Sequence, residues 1–108
     1  MRQPVETRVV QANGVAQSVQ VNVRPSWVHW ITVNVESQEE VGQIFIYDGF
    51  DRRGTLMWQW DAVYGHHHNF IPAFKCDNGI FVYSDAAIAS YTLAFKTHHE
   101  GDIGYPGG

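Results

Sequence analysis

The sequence predicts an all-β protein, a single β-sandwich of jelly-roll-like form with about eight short antiparallel strands. Apolar and polar residues alternate over short segments that are rich in β-branched and aromatic side chains. Gly, Asn, Asp and Pro separate these segments at the short spacing typical of sandwiches. No segment shows the apolar repeat of a capped amphipathic helix. A length of 108 residues favours one domain.

The strands are predicted in chain order, each ending at a turn signal. Asn13-Gly14 favours a hairpin-type turn between the first two strands. Asp48 to Gly54 forms the next clear loop, because Asn and Asp bind backbone amides and Gly tolerates positive φ. The predicted strands are Thr7–Gln11, Ser18–Val23, Val28–Val35, Gln43–Tyr47, Thr55–Trp60, His68–Ile71, Ile80–Tyr83 and Ser90–Lys96.

The domain is predicted to span residues 1–97, with an N-terminal arm over about residues 1–11. Residues 98–108 are rich in Gly and Pro and are predicted to form a C-terminal arm. In an assembly, such arms could lie along a neighbouring protein.

Strand alternation predicts which side chains face the core. It places Trp27 and Trp30 on opposite faces of the third strand. In the fifth strand it places Met57 on the solvent side. The predicted core faces are Ile31, Val33 and Val35; Leu56, Trp58 and Trp60; and Tyr91, Leu93 and Phe95.

Two strands are apolar on both faces. Ile44 and Ile46 oppose Phe45 and Tyr47, and the strand from Ile80 repeats this pattern with Phe81 and Tyr83. Loops of the same chain could cover the second face, or it could form a subunit interface, as exposed apolar patches often do. The candidate interface residues are Phe45, Tyr47, Phe81, Tyr83 and Trp30.

Composition argues against several classes of function. Seven Lys and Arg residues against eleven Asp and Glu residues give a net charge of −4, without a basic stripe, so nucleic-acid binding is not expected. The single cysteine, Cys76, excludes an intramolecular disulfide, and we expect a structural role for it. We expect no signal peptide, no membrane span and no enzymatic activity, since no nucleophile motif or phosphate loop is present.

Two sets of residues could bind a metal ion. His66 and His68 would share one face of a strand, where they could bind a metal or respond to pH, although polar surface or interface histidines are the simpler interpretation. Asp48 and Asp51 could hold calcium, or could simply form an ordinary turn. Because each set has a simpler structural interpretation, we expect no resident cofactor.

Five segments in order resemble a family of small virion proteins of tailed bacteriophages. They are Trp27–Asn34, Ile44–Gly49, Gly54–Trp58, Asn78–Tyr83 and Ala89–Phe95. The resemblance implies a decoration or cement protein of the capsid, often trimeric, whose partners are its own copies and the major capsid protein. It also implies a location in the virion, assembled in the host cytoplasm.

The alternative function is a carbohydrate-binding or host-attachment module on a phage tail or fibre. Tryptophan rings could offer stacking surfaces for sugars, and the candidates are Trp27, Trp30, Trp58 and Trp60. The core is the expected place for Trp58 and Trp60.

Overall fold

The computed structural model of the chain describes residues 5–36 and 41–98. It confirms the all-β prediction, and every predicted strand has a counterpart. The strands are β1 (Glu6–Gln11), β2 (Gln17–Asn22), β3 (Ser26–Val35), β4 (Val41–Asp48), β5 (Thr55–Val63), β6 (His66–Cys76), β7 (Ile80–Ser84) and β8 (Ile88–Thr97).

The eight strands form two four-stranded antiparallel sheets that pack as a sandwich. Sheet A has the order β1-β8-β3-β6, and sheet B has the order β2-β7-β4-β5. The first strand therefore pairs with the last, the second with the seventh, the third with the sixth and the fourth with the fifth. This is the pattern of one long hairpin rolled over itself, and it is the jelly-roll arrangement that the sequence predicts.

The core lies between the sheets and is built from the inward faces of the strands. Tyr91, Leu93 and Phe95 are buried, as alternation predicts. Ile31 and Val33 are fully buried in β3. The inward face of each of these strands was therefore predictable from the sequence.

Strand β6 is the element that differs most from its prediction. It extends from His66 to Cys76, although Pro72 lies within it. Proline has no N–H group, but among the described strands β6 is at the edge of sheet A and pairs only with β3, so the missing donor is tolerated. The pairing with β3 is interrupted between Asn69 and Phe74, and Ile71 in this interval is 90% exposed.

A β-bulge in β5 reverses part of its predicted core face. Ile46 pairs with Trp58 and Tyr47 pairs with Leu56, so Met57 is an extra residue between them. Met57 packs against the core, whereas Leu56 is 47% exposed. The prediction that placed Leu56 inside and Met57 outside is wrong for these two residues, because a bulge shifts the alternation by one position.

The predicted N-terminal arm is largely part of the sandwich. Glu6–Gln11 pairs with β8 along its whole length. Residues 1–4 of this arm lie outside the described residues, as do residues 99–108 of the predicted C-terminal arm. His98 is described, and its backbone N–H donates to the carbonyl of Pro25 (2.8 Å).

Candidate binding surfaces

The outer face of sheet B carries a cluster of four aromatic rings, which we call the sheet B patch: Phe45, Tyr47, Phe81 and Tyr83. Phe45 lies 5.9 Å from Tyr83 and 6.3 Å from Tyr47 between ring centroids. Tyr47 lies 6.3 Å from Phe81. The four rings thus form a continuous surface across the adjacent strands β4 and β7.

Side chains of the same chain cover part of the sheet B patch. The guanidinium carbon of Arg52, in the β4–β5 loop, lies 4.0 Å from the ring centroid of Tyr83, a cation–π contact. Tyr47 and Phe81 are each 8% exposed, while Phe45 and Tyr83 keep more of their surface accessible. The Arg52 guanidinium carbon also lies 5.9 Å from the ring centroid of Phe45. The surface open to a partner is therefore what Phe45 and Tyr83 keep accessible beside the Arg52 side chain.

Uncharged polar residues flank the aromatic rings on both sides. Gln59 of β5 pairs with Phe45. On β2, Ser18 pairs with Tyr83 and Gln20 pairs with Phe81. An aromatic centre with a polar border is the usual composition of a protein–protein interface.

The edge between β5 and β6 holds a row of aromatic rings and histidines. His66 stacks on Trp60, with ring centroids 4.4 Å apart and 14° between the ring planes. His68 lies 5.6 Å from Trp58 and 4.8 Å from Phe70. Trp58 packs against the core as predicted, but Trp60 is 38% exposed. These rings extend the apolar core to the side of the sandwich where the edge strands β5 and β6 face each other.

His66 and His68 lie on the same side of β6, as predicted. Their ring centroids are 5.9 Å apart. Burial, followed by the charges of His68 and His67, holds the pKa of His66 below its ordinary value. Its Nε2 atom is buried and has no hydrogen-bond partner among the residues that the structure describes. Within residues 5–36 and 41–98, no group of three or more His, Cys, Asp or Glu side chains could hold a metal ion.

The Asp48 and Asp51 carboxylates both take part in loop hydrogen bonds. The backbone N–H of Asn78 donates to Asp48 Oδ1 (2.8 Å), which ties the end of β4 to the β6–β7 turn. The backbone N–H of Arg53 donates to Asp51 Oδ1 (2.8 Å), and this bond lowers the pKa of Asp51. These contacts fit the ordinary-turn interpretation, and calcium binding at this loop stays a prediction.

Cys76 ends β6 as a free, buried cysteine. Burial raises the pKa of its thiol to about 12, with smaller contributions from Asp48 and Asp77. At neutral pH it is a protonated side chain of the core, which is the structural role expected for it.

The outer face of sheet A brings together two tryptophans that strand alternation predicts on opposite faces. Val28 pairs with Phe95 of β8, but Trp30 pairs with the next residue, Ala94, so His29 is an extra residue in β3. Val28 and Ile31 are both fully buried, and Trp27 and Trp30 therefore both point outward.

The prediction of opposite faces for Trp27 and Trp30 is wrong because it counted His29 as a regular strand position. Nothing in the local sequence marks the bulge. Similarly, the contact of Arg52 with the sheet B patch was missed, since it depends on the path of a loop.

No protein-family model matches the chain, and neither a curated protein nor a solved structure is significantly similar to it. Among the described residues, no helix is long and apolar enough to cross a membrane.

Proposed function

We propose that this chain is a structural protein of a bacteriophage virion, a decoration or cement protein that forms a homo-oligomer on the capsid and stabilises the shell. The sheet B patch is the observation that carries the proposal. The order of sequence motifs adds support, because it resembles that of small tailed-phage virion proteins. The jelly roll is compatible with this role, but the fold by itself does not select a function.

The sheet B patch is the surface we assign to contact between copies. Phe45 and Tyr83 are partly exposed at its centre, and Leu56, which pairs with Tyr47, adds 47%-exposed apolar surface beside them. Burying large aromatic side chains against a second copy would remove this surface from water. Arg52 already lies over Tyr83 and would contribute both a cation and a long apolar stem to the contact.

The proposed occupant of the patch is a second copy of this chain. The polar rows beside the rings carry Ser18, Gln20 and Gln59, which are uncharged. Around a threefold axis the patch of each copy would lie beside those of its two neighbours, and these uncharged borders add no like-charge repulsion to that contact. We propose a trimer that contacts the major capsid protein through surfaces other than this patch, within virions assembled in the host cytoplasm.

The mass of the purified protein in solution tests the proposal. The chain weighs 12.3 kDa, and light scattering should give about three times that mass for a trimer. Tyr83→Asp should shift the protein to the monomer, because it places a charge at the centre of the patch.

Thr92→Asp is the matched control, since Thr92 lies in β8 of the other sheet. It adds the same charge but should leave the oligomer intact. A protein that remains monomeric at high micromolar concentration would refute the assembly. An oligomer that Tyr83→Asp leaves unchanged would refute the assigned face.

A further inference from the structure

The outer face of sheet A has a composition different from that of the sheet B patch. Trp27 and Trp30 lie on it next to each other, separated along β3 by the inward-facing Val28 and the bulged His29. Regular pairing on both sides of the bulge places their Cα atoms roughly 7 Å apart. Both rings are partly exposed. Ala94, the partner of Trp30, is fully buried beneath this face.

Nitrogen-bearing side chains border the two indoles. Lys75 of β6 pairs with Trp27 and places its ammonium 5.3 Å from the ring centroid. Lys96 of β8 pairs with Trp27 from the other side. His67 lies 5.5 Å from the ring of Trp30.

Hydrogen-bonding groups continue the face beyond Trp30. Thr32 Oγ1 lies 2.6 Å from His67 Nδ1, and His67 Nε2 lies 3.0 Å from Asn69 Oδ1. On the side toward β8, the Asn34 amide donates to Ser90 Oγ (3.2 Å). These side chains are held in place by one another, so the face is organised before any ligand arrives.

No carboxylate belongs to this face among the described strand residues. Glu6 pairs with the inward-facing Phe95, and its carboxylate accepts a hydrogen bond from Thr97 (2.6 Å). Asp77 lies beyond the end of β6, 3.7 Å from the Lys75 ammonium. The residues that register places outward are Thr7, Val9, Gln11, Trp27, Trp30, Thr32, Asn34, His67, Asn69, Lys75, Ser90, Thr92, Ala94 and Lys96.

We propose that this face binds an anionic oligosaccharide whose sugar rings stack on Trp27 and Trp30 and whose acidic groups pair with Lys75 and Lys96. The apolar faces of pyranose rings complement indole rings, because both are flat surfaces of weakly polar C–H and C–C bonds. A chain that contacts both indoles runs along β3. Its hydroxyl groups then meet the hydroxyl, amide and imidazole groups of Thr32, Asn69 and His67.

The positive charge of this face favours acidic sugars over neutral ones. Two lysines border the rings. The ion pair between Lys75 and Asp77 is long (3.7 Å) and its carboxylate partner is 74% exposed, so it is weak enough to be exchanged for a ligand carboxylate or sulfate. Single-stranded nucleic acid also stacks on aromatic rings, but it requires a groove of cations along its backbone. This face has two lysines in a chain with a net charge of −4, so a sugar with spaced acidic groups fits it better.

Binding at this face does not depend on the proposed oligomer, because the sheet B patch lies on the opposite sheet. Titrations with hexasaccharides of galacturonic, guluronic and hyaluronic type, followed by calorimetry, test it directly. Neutral cello-, malto- and xylohexaose and a single-stranded DNA oligonucleotide are the comparison ligands. We expect at least one acidic hexamer to bind, with an affinity that falls as salt is added.

Two substitutions at one position distinguish an effect of charge on binding from an effect on folding. Thr92 pairs with Thr32 at the centre of the face, and Thr92→Glu and Thr92→Gln are nearly the same size but differ in charge. Glu should weaken binding of the acidic hexamer by roughly tenfold, whereas Gln should leave it within about twofold of the unmodified protein.

Removal of a ring tests the stacking. Trp30→Ala should weaken binding by roughly tenfold or more. Phe50→Ala should not change it, because Phe50 lies in the β4–β5 loop outside both proposed surfaces and its ring is already 59% exposed. Absence of binding by every acidic hexamer would overturn the proposal. It would also be overturned by tighter binding of the DNA oligonucleotide, or by equal effects of Thr92→Glu and Thr92→Gln on acidic hexamer binding.

Discussion

Two single variants, in which Met57 or Leu56 is replaced by the same polar residue, test whether β5 contains the bulge. The position that faces the core should show the larger loss in the free energy of unfolding. The sequence pattern places Leu56 in the core, whereas the structure places Met57 against it and leaves Leu56 47% exposed. We expect Met57→Asn to be clearly more destabilising than Leu56→Asn.

The expected magnitudes follow from burial. Loss of a packed methionine side chain costs about 2 kcal/mol at the lower end for core truncations, and a poorly satisfied amide beside the core adds about 1 kcal/mol. At position 56 half of the side chain is already in water, so the loss is about 1 kcal/mol. The two variants should therefore differ by about 2 kcal/mol in the free energy of unfolding.

Urea denaturation followed by tryptophan fluorescence is the appropriate measurement, because Trp58 follows Met57 in the chain and packs against the core. For a domain of this size, a slope of about 1.3 kcal/mol per molar urea converts the difference into roughly 1.5 M in the midpoint. Equal midpoints, or a lower midpoint for Leu56→Asn, would show that β5 follows regular alternation and that the bulge is absent.

Three further outcomes follow from single groups. Cys76 should resist alkylation in the folded protein at about pH 8 and react once urea unfolds it, because burial raises its pKa to about 12; rapid labelling of the native protein would contradict this. Folding lowers the pKa of His66 below about 6.5, so the unfolded chain binds the proton more readily and the free energy of unfolding should fall as the pH drops below that value. His66→Gln should reduce this loss in urea titrations at several pH values. An unchanged pH dependence in the variant would contradict the assignment to His66. A Cβ on Gly54 would clash with the backbone oxygen of Asp48, whereas at Gly65 it would meet only ordinary contacts. Gly54→Ala should therefore lower the free energy of unfolding by about 2 kcal/mol, and Gly65→Ala should have little effect in the same urea titrations.

Much of the fold could be read from short-range patterns. The strands are bounded by Gly, Asn and Asp, and the alternation in β8 correctly identified Tyr91, Leu93 and Phe95 as buried. These features are local, because a pleated strand directs neighbouring side chains to opposite faces whatever its partners are. The count of strands and their even spacing then favoured a jelly roll.

The candidate surfaces were predictable only in part. The four rings of the sheet B patch follow from two strands with apolar residues on both faces, and the structure brings them together as neighbours. Their degree of cover was not predictable, since it depends on where the β4–β5 loop carries Arg52. The paired face of His66 and His68 was predictable from strand geometry, but its contact with Trp60 required the packing of two edge strands from different sheets.

The sequence by itself determined the all-β class, the positions of the strands and the second aromatic face of β4 and β7. Only the tertiary structure decided that Trp27 and Trp30 share a face and that Met57, not Leu56, packs inside. Both decisions arise at β-bulges, where one extra residue changes the side to which all following residues point. The extra residue is defined by pairing with strands distant in the sequence, so no local pattern contains it.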